Sequence, residues 1–174
     1  NEFAPRGGKT NEGENSMIKT HGSDTLNPLY VADEAKRAAL QVEAEGLPSI
    51  VVCSQAAANA VMMGSGYFNP LTGYMNLTDS MAVAENMKTT GGLFFPVPIV
   101  NVVEDASGIE PGMRIALKDP NVDGNPVLAI QTVEAVETAT DEQMAFMTDK
   151  VYRTDDMDHP GVKAFNSVGK TFIS

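Results

Sequence analysis

The stretch that most directly determines the fold is MRIALKDPNVDGNPVLAIQTV, residues 113–133. Residues 113–118 and 127–133 alternate apolar and polar side chains well enough to form strands. The loop between them contains Pro120, Asp123 and Gly124, which are residue types that tight turns favour. This stretch therefore predicts a β-hairpin.

Four helices are predicted around the hairpin from their capping signals and from the spacing of apolar residues. Asp33 precedes the first helix and Gly46 follows it, while Ser54 is the expected cap of the second. Thr140 and Gln143 have the spacing of a capping box, which marks the start of the fourth. The predicted ranges are residues 34–45, 55–63 and 79–88, with the fourth helix beginning after Thr140.

Three further segments are predicted to contain strands. Residues 50–53 are apolar and β-branched, which favours a short buried strand. Residues 93–103 are also apolar, but Pro96 and Pro98 remove two backbone donors, so only an edge strand or a broken strand is expected. A last short strand pair is expected around residues 167–169. The mixture predicts an α+β domain with a small twisted or barrel-like sheet surrounded by helices.

Length and composition indicate one globular domain. The chain has 174 residues, of which 43% are hydrophobic and 20% charged, values typical of globular proteins. Residues 1–16 are polar and rich in glycine, and we expect a leader or tag-like flexible extension there, followed by the domain at residues 17–174. No apolar run is long enough to span a bilayer. The single cysteine requires no oxidising compartment, so a cytoplasmic protein is expected.

The charge of the chain argues against nucleic-acid binding. Twelve Lys and Arg residues oppose 23 Asp and Glu residues, which gives a net charge of −11. Proteins that bind nucleic acids obtain much of their affinity from Lys and Arg placed against phosphates. Only four arginines are present and the lysines are scattered, so no nucleic-acid partner is expected.

Two Gly-Lys-Thr sequences resemble the end of a phosphate-binding P-loop. They occupy residues 8–10 and 169–171. A P-loop needs another glycine five residues earlier, within a strand–loop–helix unit. Phe3 and Ala164 stand at those positions, so both matches are interpreted as coincidental.

Three other features could suggest a functional site, but each is better interpreted as part of the structure. Residues 119–124 match the first half of a calcium-binding loop, but Ile130 stands where a bidentate Glu is required, so a hairpin loop is expected. His159 follows Asp155, Asp156 and Asp158, a grouping that could bind a cation or act in acid–base catalysis, but Pro160 and Gly161 favour a structural turn. Cys53 is expected to be a buried, inert thiol. We therefore predict no catalytic, cofactor-binding or metal-binding residue in this chain.

Five segments, in order along the chain, resemble the N-terminal part of ATP sulfurylases (sulfate adenylyltransferases). The most specific is Gly66-Tyr67-Phe68-Asn69-Pro70-Leu71-Thr72-Gly73-Tyr74-Met75, which is similar to the family's Pro-Leu-Thr-Gly-Phe-Met segment. The other four are residues 47–52, 92–99, 124–129 and 158–162, the last containing His-Pro-Gly.

The resemblance implies a PUA-like N-terminal domain, a β-barrel with added helices, that orients and shields a catalytic domain. In the family, that following domain uses MgATP and sulfate to form adenosine 5′-phosphosulfate and pyrophosphate, or runs the reverse reaction. Its Gln-x-Arg-Asn-Pro, His-x-x-His and Gly-Arg-Asp segments do not occur in this sequence. The resemblance thus implies a chain that is inactive alone, with its own C-terminal catalytic domain as partner and a homo-oligomeric parent enzyme. A free-standing PUA-like nucleic-acid-binding module is the alternative.

Overall fold

The computed structural model describes residues 19–174. Over this range the chain forms five helices and six strands. The helices are α1 (Glu34–Glu45), α2 (Ser54–Gly64), α3 (Leu77–Asn86), α4 (Asp141–Tyr152) and α5 (Pro160–Asn166). The strands are β1 (Ser49–Val51), β2 (Val102–Val103), β3 (Arg114–Lys118), β4 (Val127–Thr132), β5 (Val136–Thr138) and β6 (Thr171–Ile173). Residues 1–16, where the sequence predicts a leader, lie outside the described range.

The strands form two small sheets of three strands each. In the first, β3 lies between β1 and β4, parallel to β1 and antiparallel to β4. In the second, β6 lies between β2 and β5 and is antiparallel to both. The predicted hairpin is confirmed as the β3–β4 pair.

One segment of chain passes from the first sheet into the second. Strand β4 ends at Thr132 and β5 begins at Val136. In the link, the Val133 amide still bonds to the Met113 carbonyl of the first sheet, while Ala135 exchanges hydrogen bonds with Ser174 beyond β6. A bent strand shared between sheets is a common way of turning the corner of a small β-domain.

Two clusters of buried apolar side chains hold the elements together. The larger lies between α2 and the first sheet and includes Val52, Ile115 and Leu117. The smaller lies between α3, α4 and the second sheet, around Met147 and Phe172. Fully burying a side chain of this size contributes about 1.5–3 kcal/mol, so these clusters account for the attachment of the helices to both sheets.

Helix predictions from local signals are confirmed with small corrections. Helix α1 begins after Asp33 and ends at Gly46 as expected, and the Thr140–Gln143 capping box is complete at the start of α4. Helix α2 begins one residue earlier than predicted, because the Cys53 thiol accepts from the Ala56 amide and acts as the N-cap. Helix α3 also begins earlier, after Asn76, whose side chain accepts from the Asp79 amide.

The predictions for residues 158–169 are wrong in detail. We expected a turn at His159 followed by a strand pair around residues 167–169. Instead His159 is the N-cap of α5 and Pro160 occupies its first turn, a position where the missing amide of proline costs nothing. Only one strand, β6, follows, and it starts at Thr171.

Two apolar segments were predicted to contain strands, and only the first contains less strand than expected. In residues 50–53, Val52 is buried, but Val51 is 53% exposed and Cys53 is half-buried. In residues 93–103 the expected broken strand is confirmed, with an isolated bridge at Phe94 and the regular strand β2 at the end. The absence of ladder donors at Pro96 and Pro98 explains the interruption between them.

Candidate functional site

A wide groove opens between the two N-terminal helices and strand β4. Its volume is about 1050 Å³, at the upper end of the about 300–1,000 Å³ usual for small-molecule and cofactor sites. One side is formed by residues 29–31 with α1 and α2, the opposite side by β4, and the end by residues 70–76. The groove therefore lies where segments distant in sequence meet.

The segment that resembles the ATP sulfurylase family has a structural role at the end of this groove. Asn69 is only 4% exposed, and both polar atoms of its side chain have hydrogen-bond partners. Its Oδ1 accepts from the Asn27 amide at 3.0 Å, and its Nδ2 donates to the His21 carbonyl at 2.8 Å and to the Ser23 hydroxyl at 2.7 Å. Asn69 thus attaches residues 21–27 to the core, and these residues lead directly into residues 29–31 of the groove wall.

Tyr74 fixes the same segment from the other side. Its phenol donates to the Ala56 carbonyl at 2.8 Å, and the side chain is buried. Burial raises the pKa of the Tyr74 phenol far above its usual value, with a smaller increase from the nearby Cys53 thiol. A phenol with so high a pKa remains neutral near pH 7, so it acts here as a hydrogen-bond donor that joins α2 to the groove.

Several buried polar groups near the wall of the groove lack partners within residues 19–174. Gln131 Nε2 donates to the Ile173 carbonyl at 3.4 Å, but Gln131 Oε1 accepts from no residue in this range. The Ser174 hydroxyl and both polar atoms of the Asn101 side chain also have no hydrogen-bond partner in this range. Gln131 and Ser174 line the groove, at 8% and 5% exposure. These atoms are enclosed within the protein and do not face the groove, and an unpaired buried polar group costs about 1–3 kcal/mol.

Charged side chains around the groove make local contacts. Arg114 pairs with Glu43, and Asp79 Oδ1 accepts from both the amide and the hydroxyl of Thr90. Arg37 lines the groove and makes no ion pair within the described range. One guanidinium without an ion pair in this range supplies a binding charge to the groove.

The calcium-like segment is a hairpin loop, as predicted. Asp119 Oδ1 accepts from the Asn121 amide at 2.9 Å and from its side chain at 3.0 Å, while Asn125 Nδ2 donates to the Asp119 carbonyl at 2.8 Å. Asn125 and Gly124 both have positive φ. These local bonds use the same oxygens that a cation would need.

His159 and the neighbouring aspartates also serve local structure. The His159 Nδ1 accepts from the Val162 amide at 3.3 Å, and Asp156 Oδ1 accepts from the Asp158 amide at 2.9 Å. Within residues 19–174, no three His, Cys, Asp or Glu side chains are grouped so that they could hold a metal ion. The same range contains no helix with the length and apolar character needed to cross a bilayer.

The second Gly-Lys-Thr sequence is part of the strand β6 region. Lys170 forms an ion pair with Asp141 at the start of α4. Gly169 has a φ of 99° and lies directly against the backbone of Val103 and Glu104. Its role is to let two chain segments approach closely. The first Gly-Lys-Thr, at residues 8–10, lies outside the described residues.

The sequence did not predict the groove. Its walls come from residues 29–31, from two helices and from a strand about 100 residues later in the chain, so no local pattern identifies it. The structure leaves the large apolar side chains of Leu29, Tyr30 and Val61 exposed at the groove, but the sequence alone does not show this exposure.

Comparisons with known proteins agree with this architecture. The family model of the PUA-like domain matches residues 18–174. The chain is 55% identical over 159 residues to a sulfate adenylyltransferase of Alcanivorax borkumensis, and 56% identical over 158 residues to one of Allochromatium vinosum. Each match covers 91% of this chain and 40% of the relative, so the chain spans well under half the length of these relatives.

A solved structure also resembles the chain. It is described as a hexameric APS kinase from Thiobacillus denitrificans, and it matches with a TM-score of 0.58 and 33% sequence identity. The match covers 71% of this chain and 24% of that chain. The chain therefore belongs to the PUA-like domain family.

Proposed function

We propose that this chain is the N-terminal accessory domain of a sulfate adenylyltransferase, and that it orients and shields a catalytic domain carried by the rest of the polypeptide. The observation that carries the proposal is the 55% identity to a sulfate adenylyltransferase over 91% of this chain but only 40% of that relative. The parent enzyme would bind MgATP and sulfate in its catalytic part, would be homo-oligomeric, and would act in the cytoplasm.

The chemistry of the described residues supports an accessory role. Transfer of an adenylyl group to sulfate needs several cations or donors around a polyphosphate and a second anion. The groove offers one unpaired arginine, Arg37, together with Asp79 and Glu134, which would repel both substrates. Within residues 19–174, burial raises the pKa of the Tyr74 and Tyr152 phenols, and hydrogen bonds with Ser107 and Thr140 lower the pKa of the Asp105 and Glu142 carboxyls.

The two histidines of the chain provide a direct test of this role in the parent enzyme. His21→Gln and His159→Asn are made in the full-length gene product, where asparagine retains the N-cap function at α5. We expect the turnover number for ATP synthesis to stay within about threefold of the unmodified enzyme, because general acid–base groups contribute about 10²–10⁴-fold. A loss of a hundredfold or more from either variant, with the fold intact, would place chemistry in this chain.

A nucleic-acid-binding module remains the competing function, and salt dependence distinguishes it. Phosphate contacts make binding fall steeply with salt. With a net charge of −11, the chain is expected to retain no RNA on a filter at low salt. Salt-sensitive retention of RNA would favour the alternative.

A further inference from the structure

Asn101 is an enclosed polar side chain whose hydrogen-bonding groups have no partner in the described part of the chain. The residue is 0% exposed, and neither Asn101 Oδ1 nor Asn101 Nδ2 bonds to any residue from 19 to 174. In folded proteins the large majority of buried side-chain polar atoms are hydrogen-bonded, to protein or to ordered water. Two unpaired atoms on one enclosed side chain therefore point to a bound ligand.

Gln131 contributes a third unpaired atom to the same region. The Ile173 amide donates to the Asn101 carbonyl at 3.0 Å, and Gln131 Nε2 donates to the Ile173 carbonyl at 3.4 Å. Asn101 and Gln131 are thus both bonded to one residue of β6. Gln131 is 8% exposed, and its Oε1 has no partner within residues 19–174.

The strand registers direct both side chains into the same interior. Residues that lie directly opposite each other on paired strands project from the same face of the sheet. Gln131 is opposite Ile115 in the β3–β4 pair, and continuing the β2–β6 register by one residue places Asn101 opposite Ile173. Ile115 and Ile173 both belong to the larger apolar cluster. Asn101 and Gln131 therefore extend into this cluster from the two different sheets.

The three unpaired atoms require a ligand that both donates and accepts hydrogen bonds. Gln131 Oε1 and Asn101 Oδ1 are acceptors, whereas Asn101 Nδ2 is a donor. A monatomic cation cannot accept from the amide, and a monatomic anion cannot donate to the two oxygens. Either ion would also be buried among the apolar side chains of the cluster, which is strongly unfavourable. A water molecule donates twice and accepts twice, so it can pair with all three atoms.

We propose that one internal water molecule is bound between Asn101 and Gln131, where it joins the two sheets inside the larger apolar cluster. It donates to Gln131 Oε1 and Asn101 Oδ1 and accepts from Asn101 Nδ2. Buried waters make about three hydrogen bonds and occur about once per 27 residues, so several are expected in a domain of this length. The site uses only residues of this domain and is independent of the proposed function.

Cross-relaxation between water and side-chain amide protons, measured by NMR on the isotope-labelled chain, tests the site directly. A bound water gives NOE and ROE cross-peaks of opposite sign, whereas proton exchange gives the same sign in both. We expect opposite signs at Asn101 Nδ2. Asn69 Nδ2 is the matched control, because this buried amide donates to two groups of the protein, and it should show no water cross-peak. The absence of a cross-peak at Asn101, or equal cross-peaks at both amides, would overturn the proposal.

A double-mutant cycle tests whether the two side chains share the ligand. Asn101→Val and Gln131→Met each replace a polar group by an apolar one, and urea unfolding gives the midpoint of each single variant and of the double variant. Removing one partner leaves the other without its hydrogen bond, so each single substitution should lower the midpoint. The double variant should lose clearly less than the sum of the two losses.

Gln131→Met combined with Asn69→Ala is the matched control for this cycle. Asn69 bonds only to residues 21–27 within the described range, so the losses of this pair should add. Additive losses for Asn101→Val with Gln131→Met would contradict a shared ligand. A higher midpoint for Asn101→Val alone would also contradict it, because an apolar side chain gains stability only where the polar atoms were truly unpaired.

A crystal structure of the chain distinguishes the water from a direct contact between the side chains. An ordered water within hydrogen-bond distance of both Asn101 and Gln131 would agree with the proposal. A direct bond from Asn101 Nδ2 to Gln131 Oε1 would produce the same coupling in the mutant cycle but no water cross-peak, and it would overturn the proposal. If the double variant fails to fold, the cross-peak at Asn101 decides, because that measurement requires no substitution.

Discussion

Gly169 allows strands β2 and β6 to come together, and replacing it should destabilise the domain strongly. A Cβ at this position would lie 2.3 Å from the Val103 carbonyl oxygen, 2.4 Å from the Glu104 Cα and 2.5 Å from the Glu104 nitrogen. All three are backbone atoms, so no side chain can rotate away to make room. Relief would require β6 to move away from β2, with which it pairs at Val103 and Thr171.

The magnitude follows from two separate costs. A positive φ in a residue with a side chain costs about 1–2 kcal/mol, and overpacking against a fixed neighbour costs about 1–3 kcal/mol. Gly169→Ala should therefore lower the free energy of unfolding by about 2–5 kcal/mol, a large share of the about 5–15 kcal/mol typical of a domain.

Urea unfolding followed by circular dichroism measures this loss, and Gly112→Ala is the matched control. Gly112 also has a positive φ, 89°, but open space surrounds the position of its Cβ. It should show only the conformational cost of about 1–2 kcal/mol. If Gly169→Ala is no more destabilising than Gly112→Ala, the close approach of the two backbones is not a determinant of stability and the reasoning is refuted.

Two further predictions concern the segment at the end of the groove. Asn69→Ala removes the three bonds that hold residues 21–27, so we expect a loss of about 2 kcal/mol and faster limited proteolysis within those residues; unchanged cleavage would contradict this. Burial raises the pKa of the Tyr74 phenol in the folded state, so its contribution to stability is present below the unfolded pKa of about 10 and is lost as the pH rises above it. Between about pH 10 and 12, the free energy of unfolding should therefore fall less steeply with pH for Tyr74→Phe than for the unmodified chain. The two slopes should differ by up to about 1.4 kcal/mol per pH unit. Equal slopes, measured by urea unfolding at each pH, would refute the assignment.

Elements with strong local signals could be predicted from the sequence. The β3–β4 hairpin, helix α1 with Asp33 and Gly46 at its ends, and the capping box at Thr140 all depend on residues close together in the chain. The same kind of signal was misread at Pro160, because His-Pro-Gly fits both a turn and the first turn of a helix. The length of α5 is decided by its packing, with Val162 fully buried.

The pairing of distant segments could not be predicted. Strand β1 lies parallel to β3, which follows it by more than 60 residues, and the groove combines residues 29–31 with β4. Such contacts depend on the complete packing of the chain, and a single sequence contains no local pattern for them. The family resemblance did identify the PUA-like architecture, and in its most specific segment Asn69 and Tyr74 each donate to a backbone carbonyl.

The central claim is that this chain supports catalysis without performing it. The most direct test is ATP synthesis from adenosine 5′-phosphosulfate and pyrophosphate, measured with a luciferase-coupled assay on protein expressed in a host that lacks its own sulfate adenylyltransferase. We expect the full-length gene product to form ATP and the 174-residue chain to form none above the buffer blank. ATP formation by the 174-residue chain alone, at a rate comparable to that of the full-length protein, would contradict the account.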